Sequence, residues 1–549
     1  MLAPSPGSLV GNPPPRRGAP GDDLVGLGSE AGKCGQLAAA SVHDPGERRK
    51  HVALAVAERS GVAPDVPSHA PHGHSSAPLP EGAPSALVAG LPRTSTDGLA
   101  VATATGRRSY ANLDHAASTP ALDRVLDAVA ATMASYASVH RGKGYASAVT
   151  TQWYDESRAE VGRFFGVRPD DHVIFTRNTT DSWSLLAHAL PADTTVVVFA
   201  SEHHSTLLPW GPDRTITVPV PRSIAGGLRD LAAALESVTT RHTLVVIAGA
   251  SNVTGEVWPL AEVVALAHER GARVAVDAAQ LAPHRRIDLA ASGVDYVAVS
   301  GHKLYAPYGT GVLAGRADWL DAAEPYLAGG GATASVTGEE VAWVRGPERH
   351  EGGSPNVVGA IALAAACSTL TEHWADVALL EHTLAQRLRL GLAGIPGVRL
   401  HSMFGEGSDR VAVVAFTIDG LDSALVATAL SVEYGIGVRD GKFCAHQLVD
   451  ALLADHPTGG ASSPLGNREG YAVPGNSSAT SGCDAPGIPV TAVRASLGLA
   501  TRLEHVERLV AAVRRFAAHG PALRYAASAD GWVTRDLEGI EETAPQRPW

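Results

Sequence analysis

A chain of 549 residues exceeds one ordinary domain and can bury a large core. Its formal net charge of −12 argues against a general nucleic-acid binder, which needs a basic face. The four cysteines, Cys34, Cys367, Cys444 and Cys483, form no CxxC pair and no zinc spacing, so no metal site is expected.

Residues 1–105 are rich in Pro, Gly, Ser and Ala and read as a low-complexity, disordered tail. One short helix is expected near Arg48 to Arg59, and His69, His72 and His74 read as a solvated linker rather than metal ligands. From Tyr110 the texture is globular, and a large domain is expected over residues 106–370. Helical spacing runs over Leu122 to Tyr136 and Trp153 to Phe165, and the first helix, over 120–136, is expected to pack with a smaller C-terminal domain. Strands are expected at Val173–Thr176, Thr195–Ala200, Leu244–Ala248, Arg273–Asp277 and Tyr296–Ser300, with helices Leu228–Ser237 and Ala261–Arg270 between them. Apolar strands alternating with amphipathic helices imply an α/β fold with a mainly parallel sheet covered on both faces.

One long helix from Ile361 to about Leu392 is expected to lead out of that domain. A smaller α+β domain follows over 371–525, with strands Val398–Leu400, Arg410–Ile418 and Ile436–Arg439 and helices Asp422–Tyr434 and Leu503 to about Ala517. A second low-complexity stretch, 456–489, interrupts it, and 526–549 reads as a C-terminal tail. The N-terminus lacks the basic-then-apolar order of a signal peptide, and stretches such as 357–366 are too short to span a bilayer. With so few cysteines, a cytoplasmic protein without membrane partners is expected.

The chemistry concentrates at strand ends. Lys303, in Ser300-Gly-His-Lys-Leu-Tyr305, follows one buried strand, and Asp277 ends another. Pyridoxal phosphate needs such a pair: the amine condenses with its aldehyde, and the carboxylate keeps the pyridine nitrogen protonated. Open α/β sheets bind ligands at this edge. Thr179 and Thr180 precede a helix expected to begin near Ser182, a setting that suits a phosphate and equally a plain N-cap. His203 follows a third strand, where it could stack on a ring and shuttle protons or be an ordinary loop histidine. Asn252 and Gln280 lie in loops at the same edge.

Seven motifs, Tyr110-Ala-Asn-Leu-Asp-His-Ala-Ala-Ser118, Val139-His-Arg-Gly142, Ser201-Glu-His-His204, Ser251-Asn-Val253, Asp277-Ala-Ala-Gln280, Ser300 to Tyr305 and Gly353-Ser-Pro-Asn356, occur in the order of the class V aminotransferase fold family. Within it the chain most resembles the group II cysteine desulfurase and selenocysteine lyase branch, over about Tyr110 to Phe516. The resemblance implies fold-type I, with a mainly parallel seven-stranded type of sheet, and a homodimer with the site at its interface. It implies Lys303 as the Schiff-base lysine, Asp277 as the pyridinium partner, Gln280 as a donor to the cofactor's phenolic oxygen and His203 as the stacking residue. Thr180, Ser300 and His302 would hold the phosphate, with Thr179 close by, and Asn252, Arg439 and Arg494 would bind the substrate.

In Val438-Arg-Asp-Gly-Lys-Phe-Cys-Ala445, Cys444 lies where group II desulfurases carry the cysteine of Arg-x-Gly-His-His-Cys. Lys442 and Phe443 replace both histidines, and Lys442 is expected to favour the thiolate. Arg494 also follows Cys444 at a greater distance than the family shows. Cys34, Cys367 and Cys483 read as inert. The resemblance implies conversion of L-cysteine to L-alanine through a Cys444 persulfide, with a sulfur-acceptor protein or small thiol as partner. The altered cysteine loop keeps open another reaction on the same scaffold: a selenocysteine or C–S lyase, a transaminase or an epimerase. A non-catalytic protein that binds pyridoxal phosphate is a third alternative.

Overall fold

A computed structural model describes residues 90–454, 491–528, 531–534 and 536. Cys34, Cys483, the three tail histidines, the helix expected near Arg48 and the stretch 456–489 lie outside the described residues.

A seven-stranded sheet positions the site. Its strands are β1 (Asp171–Thr176), β2 (Thr194–Phe199), β3 (Thr215–Val218), β4 (His242–Ala248), β5 (Arg273–Asp277), β6 (Tyr296–Ser300) and β7 (Gly311–Arg316). The spatial order is β1-β7-β6-β5-β4-β2-β3. Strands β2 to β6 run parallel, and β7 is antiparallel to both neighbours. Runs such as Val196-Val197-Val198-Phe199 are buried throughout because both faces are covered. Val197, Phe199, Val245, Ile247, Val274 and Val276 feed the core on one face, and Val196, Val198, Leu244, Val246 and Ala275 feed that on the other. This is the period of two expected of strands.

Strands β3 and β7 were not expected from the sequence. The first is only Thr-Ile-Thr-Val, and the second carries two glycines and one β-branched residue, a weak strand signal. Three other expectations change. Helix Asp123–Met133 packs with the large domain, since Leu122 and Val125 lie in its core and the helix lies against Val357–Glu372. The long helix is two helices, Val357–Glu372 and Trp374–Ala393, bent by 79° about His373. Leu363 and Leu370 serve the large core, whereas Leu380, Leu384, Leu388 and Leu392 serve the small one, so one straight rod would not bury both sets. The tail ends earlier than 105: strands Ala100–Thr103 and Gly106–Ser109 form a hairpin, Ala104 N–H donates to Val432 O (3.1 Å), and Thr94 bridges to Leu122. Among the described residues no single helix is long and apolar enough to cross a bilayer.

The smaller sheet contains β8 (Val398–Leu400), β9 (Val413–Ile418), β10 (Arg439–Gly441) and β11 (Ala492–Ser496), in the order β8-β9-β11-β10 and antiparallel throughout. The strand expected over Ile436–Arg439 is divided: Ile436-Gly437 pairs in parallel with Ala111-Asn112, and Arg439 begins β10. Helices Ser423–Tyr434 and Leu503–His519 cover this sheet. The expected boundary at 525 cuts a hairpin, Tyr525–Ser528 with Gly531–Thr534, whose Trp532 donates to Asp422 Oδ1 at 2.9 Å.

Candidate active site

Strands β1, β2, β4, β5 and β6 end at one edge with Thr176, Phe199, Ala248, Asp277 and Ser300. The loops beyond them, with the cysteine loop and β11, enclose a cavity of about 350 Å³. All twelve residues named from the sequence line it, from Thr179 and Thr180 through His203, Asn252, Asp277, Gln280, Ser300, His302, Lys303 and Arg439 to Cys444 and Arg494.

Lys303 ends a short 3₁₀ turn, Gly301–Lys303, directly after β6. Burial lowers its amine pKa, opposed by the negative charge of Asp277 and reinforced by Arg494. Asp277 is 5% exposed. Its Oδ2 accepts from Thr206 Oγ1 (2.7 Å) and its Oδ1 from Ala279 N–H (2.9 Å), so the carboxylate is fixed from both sides. Gln280 Nε2 donates to Ala116 O at 2.7 Å, which aims the amide. His203 Nδ1 accepts from Ser205 N–H (3.1 Å), leaving the ring proton on Nε2. Burial and the Lys303 charge push His203 down to about 4, so its ring is neutral at pH 7.

At the opposite side the helix begins at Thr179, three residues before the expected Ser182, with Asn178 as its N-cap. The earlier start makes Thr179 and Thr180 first-turn residues. Thr179 N–H donates to Ser300 Oγ at 2.9 Å, and the two hydroxyls lie 2.8 Å apart. His302 is held neutral by burial beside Lys303, its pKa lowered to about 4. The N-cap and the cavity lining therefore coexist here: Asn178 serves the backbone N–H of Asp181, and the threonine and serine hydroxyls border the cavity.

The third side is cationic. Arg494 is buried on β11; its Nη1 donates to Asn252 O (3.0 Å) and its Nη2 to Asp114 Oδ1 (3.0 Å), while its buried Nε has no hydrogen-bond partner among the described residues. Asn252 Nδ2 donates to Phe443 O at 2.8 Å, and His204 N–H donates to Cys444 O at 2.8 Å. These bonds pin a strained turn, for Phe443 and Cys444 have φ of 53° and 54°. Non-glycine residues in the left-handed region cost about 1 kcal/mol or more each. Phe443 is buried, with the Arg494 guanidinium 5.1 Å from its ring centroid, and Cys444 is exposed at the cavity. The Lys442 ammonium also pairs with Asp450 at 2.7 Å, at the solvent-exposed side of this loop. Cys367 is buried in its helix, and burial pushes its thiol pKa well above the usual value.

Sequence reasoning gave no role to Thr206, Glu202 or Asp114. Thr206 lies two residues beyond the Ser201–His204 motif. Glu202 is 2% exposed, its Oε2 accepts from Ala248 N–H (2.7 Å), and burial pushes it up to about 8. Asp114 lies inside the Tyr110–Ser118 motif, but only the fold brings it to Arg494.

The residues fit pyridoxal phosphate. A buried amine faces a fixed carboxylate, and a helix N-terminus with hydroxyls lies across the same cavity. The family model described as Aminotransferase class-V matches residues 111–509. The chain belongs to this family. A relative from Vibrio cholerae called "Probable cysteine desulfurase" is 32% identical over 416 residues, 73% of this chain and 92% of that one. The "Cysteine desulfurase" of Dickeya dadantii is 35% identical, over 57% of this chain and 77% of its own. Among solved structures, the cysteine desulfurase of Thermococcus onnurineus aligns with a TM-score of 0.62 at 28% identity, covering 74% of this chain and 95% of that one. The cysteine desulfurase CsdA of Escherichia coli aligns at 0.58 and 28%, covering 74% and 94%. Membership accords with the α/β fold and with the mainly parallel sheet expected from the strand pattern.

Proposed function

We propose that the chain is a pyridoxal-phosphate-dependent cysteine desulfurase, converting L-cysteine to L-alanine and leaving the sulfur as a persulfide on Cys444. The observation that carries this reading is Cys444, presented by a strained and pinned turn to the cavity that Lys303, Asp277 and Arg494 also line. The relatives called cysteine desulfurase support it. Pyridoxal phosphate, when bound, supplies an electron sink for the substrate's Cα. Asp277 and Gln280 would hold its ring, His203 would stack on it, and Thr179, Thr180, Ser300 and His302 would hold its phosphate.

The chain's own residues do the rest. Arg494 and Asn252 orient the substrate carboxylate, with Arg439 beside them; a planar guanidinium meets two oxygens at once. Lys303 Nζ, with its pKa lowered, takes the Cα proton and returns it. Cys444 Sγ, as thiolate, attacks the substrate sulfur. The S–S bond forms as the Cβ–S bond breaks, and that electron pair stays on Cβ, where protonation gives the methyl group of alanine. The sulfur then passes to an acceptor protein or small thiol. We also propose a homodimer working in the cytoplasm.

The test is steady-state assay with L-cysteine and a reducing thiol. Alanine and sulfide in equal amounts are expected; an L-cysteine-inactive protein that acts on another amino acid would contradict the reading. A second expectation concerns Asp277→Asn. A neutral amide cannot hold a pyridinium proton, so kcat should fall at least about hundredfold, or about 2.7 kcal/mol, while cofactor retained through dialysis changes little. A kcat within about threefold of wild type, under 1 kcal/mol, would remove Asp277 from this role.

A further inference from the structure

Arg439 and Arg494 stand directly opposite each other on β10 and β11. Like charges at paired cross-strand positions repel. Arg494 is 4% exposed and gains little from water, whereas Arg439 is 51% exposed. One carboxylate separates them. Asp114 Oδ1 accepts from Arg494 Nη2 (3.0 Å), and its Oδ2 accepts from Arg439 Nε (3.1 Å) and Nη2 (2.9 Å).

The backbone holds Asp114 in register with both arginine strands. Its N–H donates to Asn112 Oδ1 (3.1 Å), Ala111-Asn112 pairs with Ile436-Gly437, and Leu113 O accepts from Ser496 N–H (2.8 Å). With Nη1 on Asn252 O and Nη2 on Asp114, the Arg494 plane has two fixed points, and among the described residues its Nε remains without a partner. Two guanidinium groups against one carboxylate leave one positive charge, which matches one incoming carboxylate.

We infer that Asp114 is the positioning residue of the substrate subsite, holding the Arg494 fork in its receiving orientation and leaving charge there for a single α-carboxylate. The inference rests on the proposed role of Arg494 as carboxylate binder. Asp114 reaches the substrate only through the arginines, so its loss should weaken recognition of the carboxylate and spare the proton and sulfur steps.

The full chain loaded with pyridoxal phosphate is titrated with L-alanine and with ethylamine, which lacks the carboxylate, by following the visible absorbance. In Asp114→Asn the L-alanine dissociation constant should rise about tenfold or more, the equivalent of 1.4 kcal/mol, while that for ethylamine stays within about twofold. The KM for L-cysteine should rise in parallel, with kcat within about threefold. Asp114→Glu, which keeps the charge on a longer arm, should fall between Asn and wild type. Equal losses for both ligands in both variants would overturn the inference, as would tighter L-alanine binding in Asp114→Asn, which would make Asp114 a competitor of the substrate. A wild type that responds to ethylamine but not to L-alanine overturns both the inference and the Arg494 role. The expected titrations without alanine formation from L-cysteine overturn the desulfurase reading alone.

Discussion

Cys444→Ala is expected to abolish alanine formation from L-cysteine while the bound cofactor keeps its visible absorbance band. The thiolate acts only after the substrate is bound and its Cα proton removed, so the variant loses the acceptor of sulfur and nothing earlier. The fold should survive, because Cys444 is exposed and its backbone bonds run through its carbonyl, to His204 N–H. Alanine also tolerates the left-handed φ of 54° about as poorly as cysteine, so the change in strain is small. Selenocysteine, whose selenium leaves more easily, should remain a substrate of this variant. Persulfide labelling should vanish in Cys444→Ala and persist in variants of Cys34, Cys367 and Cys483. Undiminished alanine production would remove the persulfide step from the account.

Lys303→Ala should lose both the borohydride-reducible yellow form and all measurable turnover. Lys303 is the amine at the end of β6 whose pKa burial lowers beside Asp277, and among the described residues lining the cavity it is the one lysine, so attachment and proton transfer fall to the same group. Removal of such a group costs many powers of ten, at about 1.4 kcal/mol for each. The protein should stay folded, since the change lies in a turn beyond the strand and Asp277 keeps its hydrogen bonds from Thr206 and Ala279. A variant that still yields a borohydride-reducible adduct with pyridoxal phosphate would assign that attachment to a different lysine.

Much of the site was legible because strand ends announce themselves. Val-Ala-Val-Asp277 and Val-Ala-Val-Ser300 are buried runs that stop at polar residues, and fold geometry then brings their loops together. Strands β3 and β7 were not legible, because the alternation in Thr-Ile-Thr-Val covers only four residues and the glycines of β7 weaken its strand preference. The break at His373 was hidden for the opposite reason: the helical spacing of Leu370, Trp374 and Val377 continues across it, and only the two separate cores show the change of direction. The Asp114 bridge depends on three strands from distant parts of the chain, a register that local patterns do not specify. The pairing of Lys442 with Asp450, eight residues on, is likewise invisible in the local sequence.

The central claim is that sulfur leaves the substrate onto Cys444. The most direct measurement is a single turnover: the loaded protein is mixed with one equivalent of L-cysteine in the absence of reductant, alanine is quantified, and the peptide containing Cys444 is weighed by mass spectrometry. The account predicts one alanine for each Cys444 peptide that gains one sulfur atom. Alanine formed with the Cys444 peptide unchanged, or pyruvate and sulfide in place of alanine, would contradict it.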